Sequence, residues 1–388
     1  MPVLRREYQE NPAEHFFRFV AGFDWLQILA SVFLLGVGLI FIRSTGIQAG
    51  TRESLAFFPK QLQWIAIGTV FWLICSLIDY RKQEYKVLSL IFYLLSLFLL
   101  VLVLFVGVKV NGAVSWLNLR LFGMRLQPSE LSKLAVVMLL AAMFSTRVFR
   151  VNRVACLFLS GITVAVPFVL IMLEPDFGSA IILIPILLGI VFVAGLKWRY
   201  ILLAVGMAAL LAGGFLANEA FGKPMLKEYQ KARIRVFLDP ESDLLGRGYN
   251  VYQAKLAVGS GGWTGKGIGQ GTQNALGFLP QSVSNNDFIF SVIAEESGFL
   301  GCSLLLLAYL ILFYSILRTA FLATDPFGRY LGVGVAAIFF PHCFINIGMC
   351  IGLMPVTGIP LPFISYGGSF LLMGMAALGL MQSVYRHR

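Results

Sequence analysis

Apolar runs close to the length of a bilayer crossing return along the whole chain, and no other feature narrows its possible folds so far. About 20 consecutive apolar residues cross a hydrocarbon core as a helix, against about 10 for a tilted barrel strand. Backbone groups in lipid must be satisfied internally, so segments of this length read as helices. Ten such runs occur, at 25–42, 62–78, 87–108, 131–144, 154–173, 178–196, 200–216, 287–317, 331–353 and 364–384. The fourth is short and the eighth long. Composition agrees: 58% of the 388 residues are hydrophobic and 13% charged, about half the charge of an ordinary soluble domain. The expected fold class is all-α, a polytopic integral membrane protein with about ten transmembrane helices. It is expected to form a single membrane domain over 1–388, with an N-terminal arm at 1–22 and a long extracytoplasmic loop at 217–286.

With an even number of crossings both ends share one side, and Lys and Arg in short loops decide which. Arg5, Arg6 and Arg18 in the arm share one face with the turns holding Arg81, Lys82 and Lys86, and Arg147, Arg150 and Arg153. Lys197 and Arg199, Arg318 and Arg329, and the tail residues Arg386 and Arg388 fall there too. The opposite short loops hold fewer, namely Arg43, Arg52, Lys60, Lys109, Arg120 and Arg125. The richer face, with both termini, is expected to be cytoplasmic. This topology and attraction to anionic lipid account for the net charge of +11. No nucleic-acid recognition motif accompanies the charge, so membrane lipids are expected partners and nucleic acid is not. The first run starts near Trp25, is as long as a full span and lacks a small-x-small cleavage site, so it is expected to stay as a helix. Cys75, Cys156, Cys302, Cys343 and Cys350 all fall in apolar runs, without metal-ligand spacing, and read as small hydrophobes. His342 reads as a packed, hydrogen-bonded core residue.

Four outward-facing segments carry more polar chemistry than topology requires. In NGAVSWLNLRLFGMRLQPSELSK (111–133), Pro128 suits the first turn of a helix and Glu130 lies where the helix dipole favours a carboxylate. Glu130 and Lys133 are three apart on one helical face. Lys133 falls inside the fourth run, where a charge costs on the order of 3 kcal/mol. One reading is a structural ion pair closing the helix start; the other is a cation held, with Arg125 nearby, for an anionic substrate. In LEPDFGSA (173–180), Pro175 breaks one helix and Asp176 suits the cap of the next, so its role is either capping or function.

The 217–286 loop exceeds the usual length of connections. It carries Lys223, Lys227, Lys231, Arg233, Arg235, Arg247, Lys255 and Lys266, and includes VGSGGWTGKGIGQGTQ (258–273). Lys266 is followed by Gly, so there is no Walker sequence, and no clean G-x-G-x-x-G follows a strand. What remains is a flexible, cationic stretch whose backbone N–H groups suit phosphate or sugar. The preceding GYNVYQAKLAV (248–258) suits a helix along the membrane surface. In MPVTGIPLPFISYGGSF (354–370), Pro355, Pro360, Pro362, Gly367 and Gly368 interrupt what hydropathy would join. Irregular backbone at membrane depth is tolerated only inside protein or beside a polar cavity, so this segment is expected to border a site.

SNNDFIFSVIAEES (284–297) puts Asp287, Glu295 and Glu296 at the mouth of the eighth run. Asp287 precedes the run and is expected to meet water or a cavity, while both glutamates lie roughly two turns deeper. At 100° per residue Glu295 stands about 80° from Asp287 and Glu296 on the far side, so no carboxylate pair forms. The glutamates are expected to pair with a neighbouring helix, and Asp287 to do chemistry.

WLNLRLFGMRLQPSELSKL, LEPDFGSA, RIRVFLDPESDLLGRGYNVYQAKLAVGSGGWTGKGIGQGTQNALGFLP, NNDFIFSVIAEESGFLG and GLMPVTGIPLPFISYGGS resemble, in order and spacing, the SEDS family (shape, elongation, division and sporulation). The resemblance covers nearly the whole chain, and the compact length and the FDW before the first run look like its elongation branch. It implies a ten-span bacterial glycosyltransferase that polymerises peptidoglycan glycan from lipid II at the outer face of the cytoplasmic membrane. It implies that Asp287 is the catalytic aspartate and that Arg125, Glu130, Lys133, Asp176 and Arg233 hold functionally sensitive positions. Lys266, Thr272, Ser365 and Tyr366 complete the expected substrate-binding set. The family commonly has His-Thr before the aspartate and Glu after Leu-Pro. Here Asn285, Asn286 and Gln281 stand there, so the contacts around the aspartate differ.

A lone base attacking opposite the leaving group implies an inverting transferase, with Arg125, Lys133, Arg233 and Lys266 as a clamp for the pyrophosphate. A divalent cation, Mg or Mn, is a candidate to share that task, and no other cofactor is expected. The implied protein partner is a class B penicillin-binding protein, a transpeptidase. The alternative is a lipid II flippase, which shares intramembrane charges and proline breaks. Against it, the polar residues crowd the outer face instead of marking a path through the midplane.

Overall fold

The computed structural model describes residues 20–82, 84–110, 113–119, 124–220, 236–237, 239 and 247–388. The apolar runs satisfy their backbones as helices: α1 (Trp25–Ala49), α2 (Phe57–Leu77), α3 (Glu84–Val106), α4 (Pro128–Phe144), α5 (Val154–Leu173), α6 (Phe177–Ile181), α7 (Leu183–Val193) and α8 (Trp198–Ala220). After them come α9 (Arg247–Ser260), α10 (Ile289–Leu322), α11 (Pro326–Cys350) and α12 (Gly368–Arg386). Among the described residues seven of these, α1, α2, α3, α5, α10, α11 and α12, are long and apolar enough to cross a membrane. Of the other expected runs, the fourth is the shorter α4, the sixth is split into α6 and α7, and the seventh is helical over Trp198–Ala220.

The short fourth run has a physical reason. Helix α4, 17 residues long, is buried nearly all round, with Ala135, Val136, Val137, Leu140 and Ala141 at 0% exposure. It packs against α3, α5, α7, α11 and α12, so its surface meets protein and needs no lipid-facing stripe. Close approach is bought with small residues. A Cβ at Gly334 of α11 would stand 2.4 Å from Val137, and one at Gly379 of α12 would stand 2.5 Å from the Trp72 carbonyl oxygen of α2.

At one end of the bundle the helix termini are tied by buried polar contacts. Asp24 caps α1 through Leu26 N and Gln27 N, accepts from Ser315 Oγ at 2.6 Å and pairs with Arg318 at 3.1 Å. Gln382 of α12 exchanges hydrogen bonds with the Asp24 backbone. The Tyr80 hydroxyl meets Asp325, and Arg386 reaches the Ser76 carbonyl. Arg81, Arg318 and Arg386 lie here, so this is the basic end expected from charge.

At the opposite end the eighth run departs from expectation. Helix α10 has 34 residues, about 51 Å of rise against a hydrocarbon thickness of about 30 Å. It breaks at Gly298, whose φ of 64° and ψ of −163° are open to glycine alone. Thr45 touches Asn285, while Ser44 and Gln48 touch Glu296. Both ends of the segment 285–297 therefore meet the same part of α1, and the segment lies across the bundle's outer end. Glu296 therefore stands near the level of Asn285 along α1, not two turns deeper.

The glycine-rich run repairs that break. Lys266 N and Gly267 N donate to the carbonyls of Glu295 and Glu296 at 3.0 Å each. Phe299 N and Leu300 N, just past the break, donate to Gly262 O and Trp263 O at 2.8 and 3.0 Å. A strap of loop thus takes up the backbone groups that a kinked helix orphans. Helix α9 packs on α10 and α11 with Val251, Ala254 and Ala257 buried and with Tyr252 and Leu256 exposed.

A small antiparallel sheet, absent from the all-α expectation, covers the outer end: β1 (Val108–Val110), β2 (Ala113–Leu119) and β3 (Met124–Leu126), in order β1-β2-β3. Leu117 pairs with Leu126 and Asn118 with Arg125. Ser115 and Leu117 face inward, the period of two that marks a half-buried strand.

Candidate active site

Three loops and three helix ends converge opposite the basic end. The turn carrying Asp287 enters α10 there, and each of its backbone carbonyls is held from another element. Asn285 O accepts from Tyr366 N at 2.9 Å, and Asn286 O from Ser365 Oγ at 2.6 Å. Asp287 O accepts from Asn346 Nδ2 at 2.9 Å and from Cys350 Sγ at 3.7 Å. Asn346, fully buried in α11, also donates to Ile359 O at 2.7 Å. It thereby joins the Asp287 turn to the proline-rich loop, whose Gly358 lies beside the carboxylate; a Cβ there would be 3.6 Å from Asp287 Oδ2.

The same loop touches the second motif. A Cβ at Gly178 would lie 2.6 Å from Thr357 O, so only glycine lets the two loops meet. Asp176 caps α6, accepting from Ser179 N at 3.0 Å, and its other oxygen accepts from Gln127 Nε2 at 2.8 Å. Gln127 N donates to Ser369 Oγ at 2.9 Å, and that hydroxyl donates to Arg125 O at 3.2 Å. Arg125, the middle residue of β3, is exposed beside Tyr366; burial pushes the tyrosine hydroxyl's pKa up, and the guanidinium opposes the shift. Asp287, Ser365, Tyr366, Arg125 and Asp176 are thus linked through a handful of contacts.

Glu130 and Lys133 form the expected ion pair, at 2.8 and 2.9 Å, but as a closed group. Lys133 is 1% exposed, its Nζ lies 3.1 Å from His342 Nε2, and the His342 ring stacks on Phe370. His342 Nδ1 meets Ile338 O at 2.7 Å, which makes it the packed core histidine expected. The cation supports the start of α4 from behind; it does not stand open at the surface.

Lys266 and Thr272 belong to the strap. Lys266 Nζ pairs with Glu295 at 2.6 Å, and Thr272 N and Oγ1 both donate to the same carboxylate oxygen. Gly269 N donates to Glu296, which also accepts from Ser44 and Gln48. The amides expected to meet a phosphate therefore already meet the chain's own carboxylates. Both glutamates are structural, as expected, though their partners come chiefly from the loop. Arg233 lies outside the described residues. Asn346, Gln127 and Glu174 were missed; an asparagine in an apolar helix was the available signal for the first.

Among the described residues no three His, Cys, Asp or Glu side chains come together to hold a metal ion.

The fold and site define a polytopic helical membrane protein with a polar, carboxylate-bearing site at one end of its bundle. The family model described as cell cycle protein, covering FtsW, RodA and SpoVE, matches residues 25–388, and the chain belongs to that family. It is 36% identical over 371 residues to the peptidoglycan glycosyltransferase MrdB of Escherichia coli (strain K12), covering 94% of this chain and 95% of that one. It is similar to the crystal structure of Thermus thermophilus rod shape determining protein RodA, with a TM-score of 0.68 and 27% identity over 94% of this chain and 97% of that one. A structure titled for the coordination of polymerization and crosslinking by a peptidoglycan synthase complex matches with a TM-score of 0.79 and 28% identity, covering 94% of this chain and 98% of that chain.

Proposed function

We propose that the chain is a peptidoglycan glycosyltransferase that extends glycan strands from lipid II at the outer face of a bacterial cytoplasmic membrane during elongation, with Asp287 as its general base. The acceptor sugar's hydroxyl oxygen attacks the anomeric carbon of the donor, and a new C–O bond forms. The bond to the pyrophosphate breaks, its electron pair leaving with the phosphate. The hydroxyl proton passes to the Asp287 carboxylate, a transfer worth about 10²- to 10⁴-fold. Unlike a glycosidase, the reaction expels a good leaving group and needs no second carboxylic acid. Attack opposite the pyrophosphate inverts the anomeric centre.

The observation that carries the reading is the joining of the Asp287 turn, through Ser365, Tyr366 and Asn346, to the loops that also hold Asp176 and Arg125. Arg125, exposed beside Tyr366, is the first candidate to meet pyrophosphate charge; Arg233 and the partly exposed Lys266 are the further candidates. No step is routed through a metal ion. The partner is a class B penicillin-binding protein, supported by the likeness to a synthase complex that couples polymerization to crosslinking.

Purified protein given labelled lipid II should build polymer, and Asp287→Ala or Asp287→Asn should abolish it while lipid II still binds. Full activity in either variant would defeat the assignment. Flipping of lipid II in liposomes without any polymer would favour transport instead.

A further inference from the structure

Three consecutive carbonyls, those of Asn285, Asn286 and Asp287, lie just ahead of α10. Each takes a donor from a distant part of the chain: Tyr366 N, Ser365 Oγ and Asn346 Nδ2. Ser365 and Asn346 are 79 and 59 residues from the carbonyls they hold. Capping explains none of these bonds, because the orphan groups at a helix N-terminus are amides.

Both side chains are turned inward. Ser365 is 5% exposed and also accepts from Leu361 N at 2.8 Å, so its hydroxyl is occupied as donor and as acceptor. Asn346 is 0% exposed and spends its amide on Asp287 O and Ile359 O, fixing the turn and the backbone next to Gly358 with one group. With its own carbonyl and the two before it held, the direction in which the Asp287 side chain leaves the backbone is fixed.

Resting on the reading of Asp287 as base, we infer that Ser365 and Asn346 are positioning residues: they hold the Asp287 turn by its backbone so that the carboxylate meets the attacking hydroxyl, and they do not themselves bind the sugar lipid. Ser365 thereby moves from the expected substrate contacts to the support of the base, and Asn346 joins it.

The test compares Ser365→Ala, Ser365→Thr and Asn346→Leu with the unaltered protein and with Asp287→Asn, using labelled lipid II and full-length protein in detergent. Misplacing a reacting group by about 1 Å costs on the order of 10²-fold in rate. Ser365→Ala and Asn346→Leu should each lower kcat by about that factor with KM changed less than about threefold. Ser365→Thr, which keeps the hydroxyl, should recover most of the rate. Lipid II affinity in the Asp287→Asn background should be unaffected by adding Ser365→Ala.

Unchanged kcat in both Ser365→Ala and Asn346→Leu, with Asp287→Asn inactive, overturns the inference and leaves the base assignment standing. A raised KM at unchanged kcat, or weakened binding in the Asp287→Asn background, overturns it too by making Ser365 a substrate contact. Equal losses in Ser365→Ala and Ser365→Thr, with lowered thermal midpoints, reduce the clamp to a fold requirement and also overturn it. Full activity in Asp287→Asn sinks the base itself, whatever the clamp variants do.

Discussion

Glu174 shows how one buried acid carries a pH dependence. It ends α5 with a side chain at 0% exposure, and neither carboxylate oxygen has a hydrogen-bond partner. Burial pushes its pKa from 4.5 up to about 8, the nearby charge of Asp176 adds to the shift, and the Ser115 hydroxyl, which donates to the Glu174 backbone carbonyl at 3.5 Å, opposes it. The folded state therefore keeps a proton that the unfolded chain has released. Its contribution to stability is present below the unfolded pKa and is lost as pH rises through the folded one. The thermal midpoint should fall between about pH 5 and 8, and Glu174→Gln, neutral throughout, should flatten that slope. A slope unchanged in the variant would remove the group from the account. The Glu130–Lys133 pair makes a second prediction: Lys133→Met leaves a buried carboxylate uncompensated and should cost about 3–5 kcal/mol in unfolding measurements. Adding Glu130→Gln should recover part of the loss. That pair was legible from a spacing of three. The meeting of Lys133 with His342, 209 residues away, was not, because local periodicity is silent about which helices become neighbours.

At the scale of elements, hydropathy found where helices run and missed where they stop. The run 287–317 reads as one span because apolar residues flank Gly298 on both sides, and only the backbone angles there reveal two segments. The strap is invisible for the same reason: its glycines read as looseness, whereas several mark close approach. A Cβ at Gly261 would lie 1.9 Å from Ala294 O, and one at Gly265 would lie 2.2 Å from Glu296 O. Gly265→Ala should therefore unseat the strap, and Glu295→Ala should do so by stripping Lys266 and Thr272 of their shared acceptor. Hydrogen exchange of the 262–273 amides should rise in both variants; unchanged protection would show that the strap holds without them. The sheet escaped notice because its strands are short and sit in a segment whose charges drew attention first.

The whole molecule followed most directly from sequence. Basic turns far apart in the chain were placed on one face by counting alone, and the buried contacts of Asp24, Tyr80 and Arg386 gather those helix ends in space. We expect that end to be cytoplasmic. A cysteine introduced at Arg388 should resist a membrane-impermeant maleimide in intact cells, and one at Gln270 should react. Labelling at Arg388 alone would invert the topology. The outer site was legible as a set of motifs, yet their assembly was not, since it depends on loop-to-loop contacts such as Gly178 on Thr357.

Helix α4 has a further consequence for how the chain is made. Seventeen residues with Glu130 and Lys133 in their first two turns form a poor candidate for unaided entry into lipid. Its flanks are covered by α3, which precedes it, and by α11, which the ribosome delivers some 180 residues later. The contact of Lys133 with His342 therefore forms only once α11 has been made.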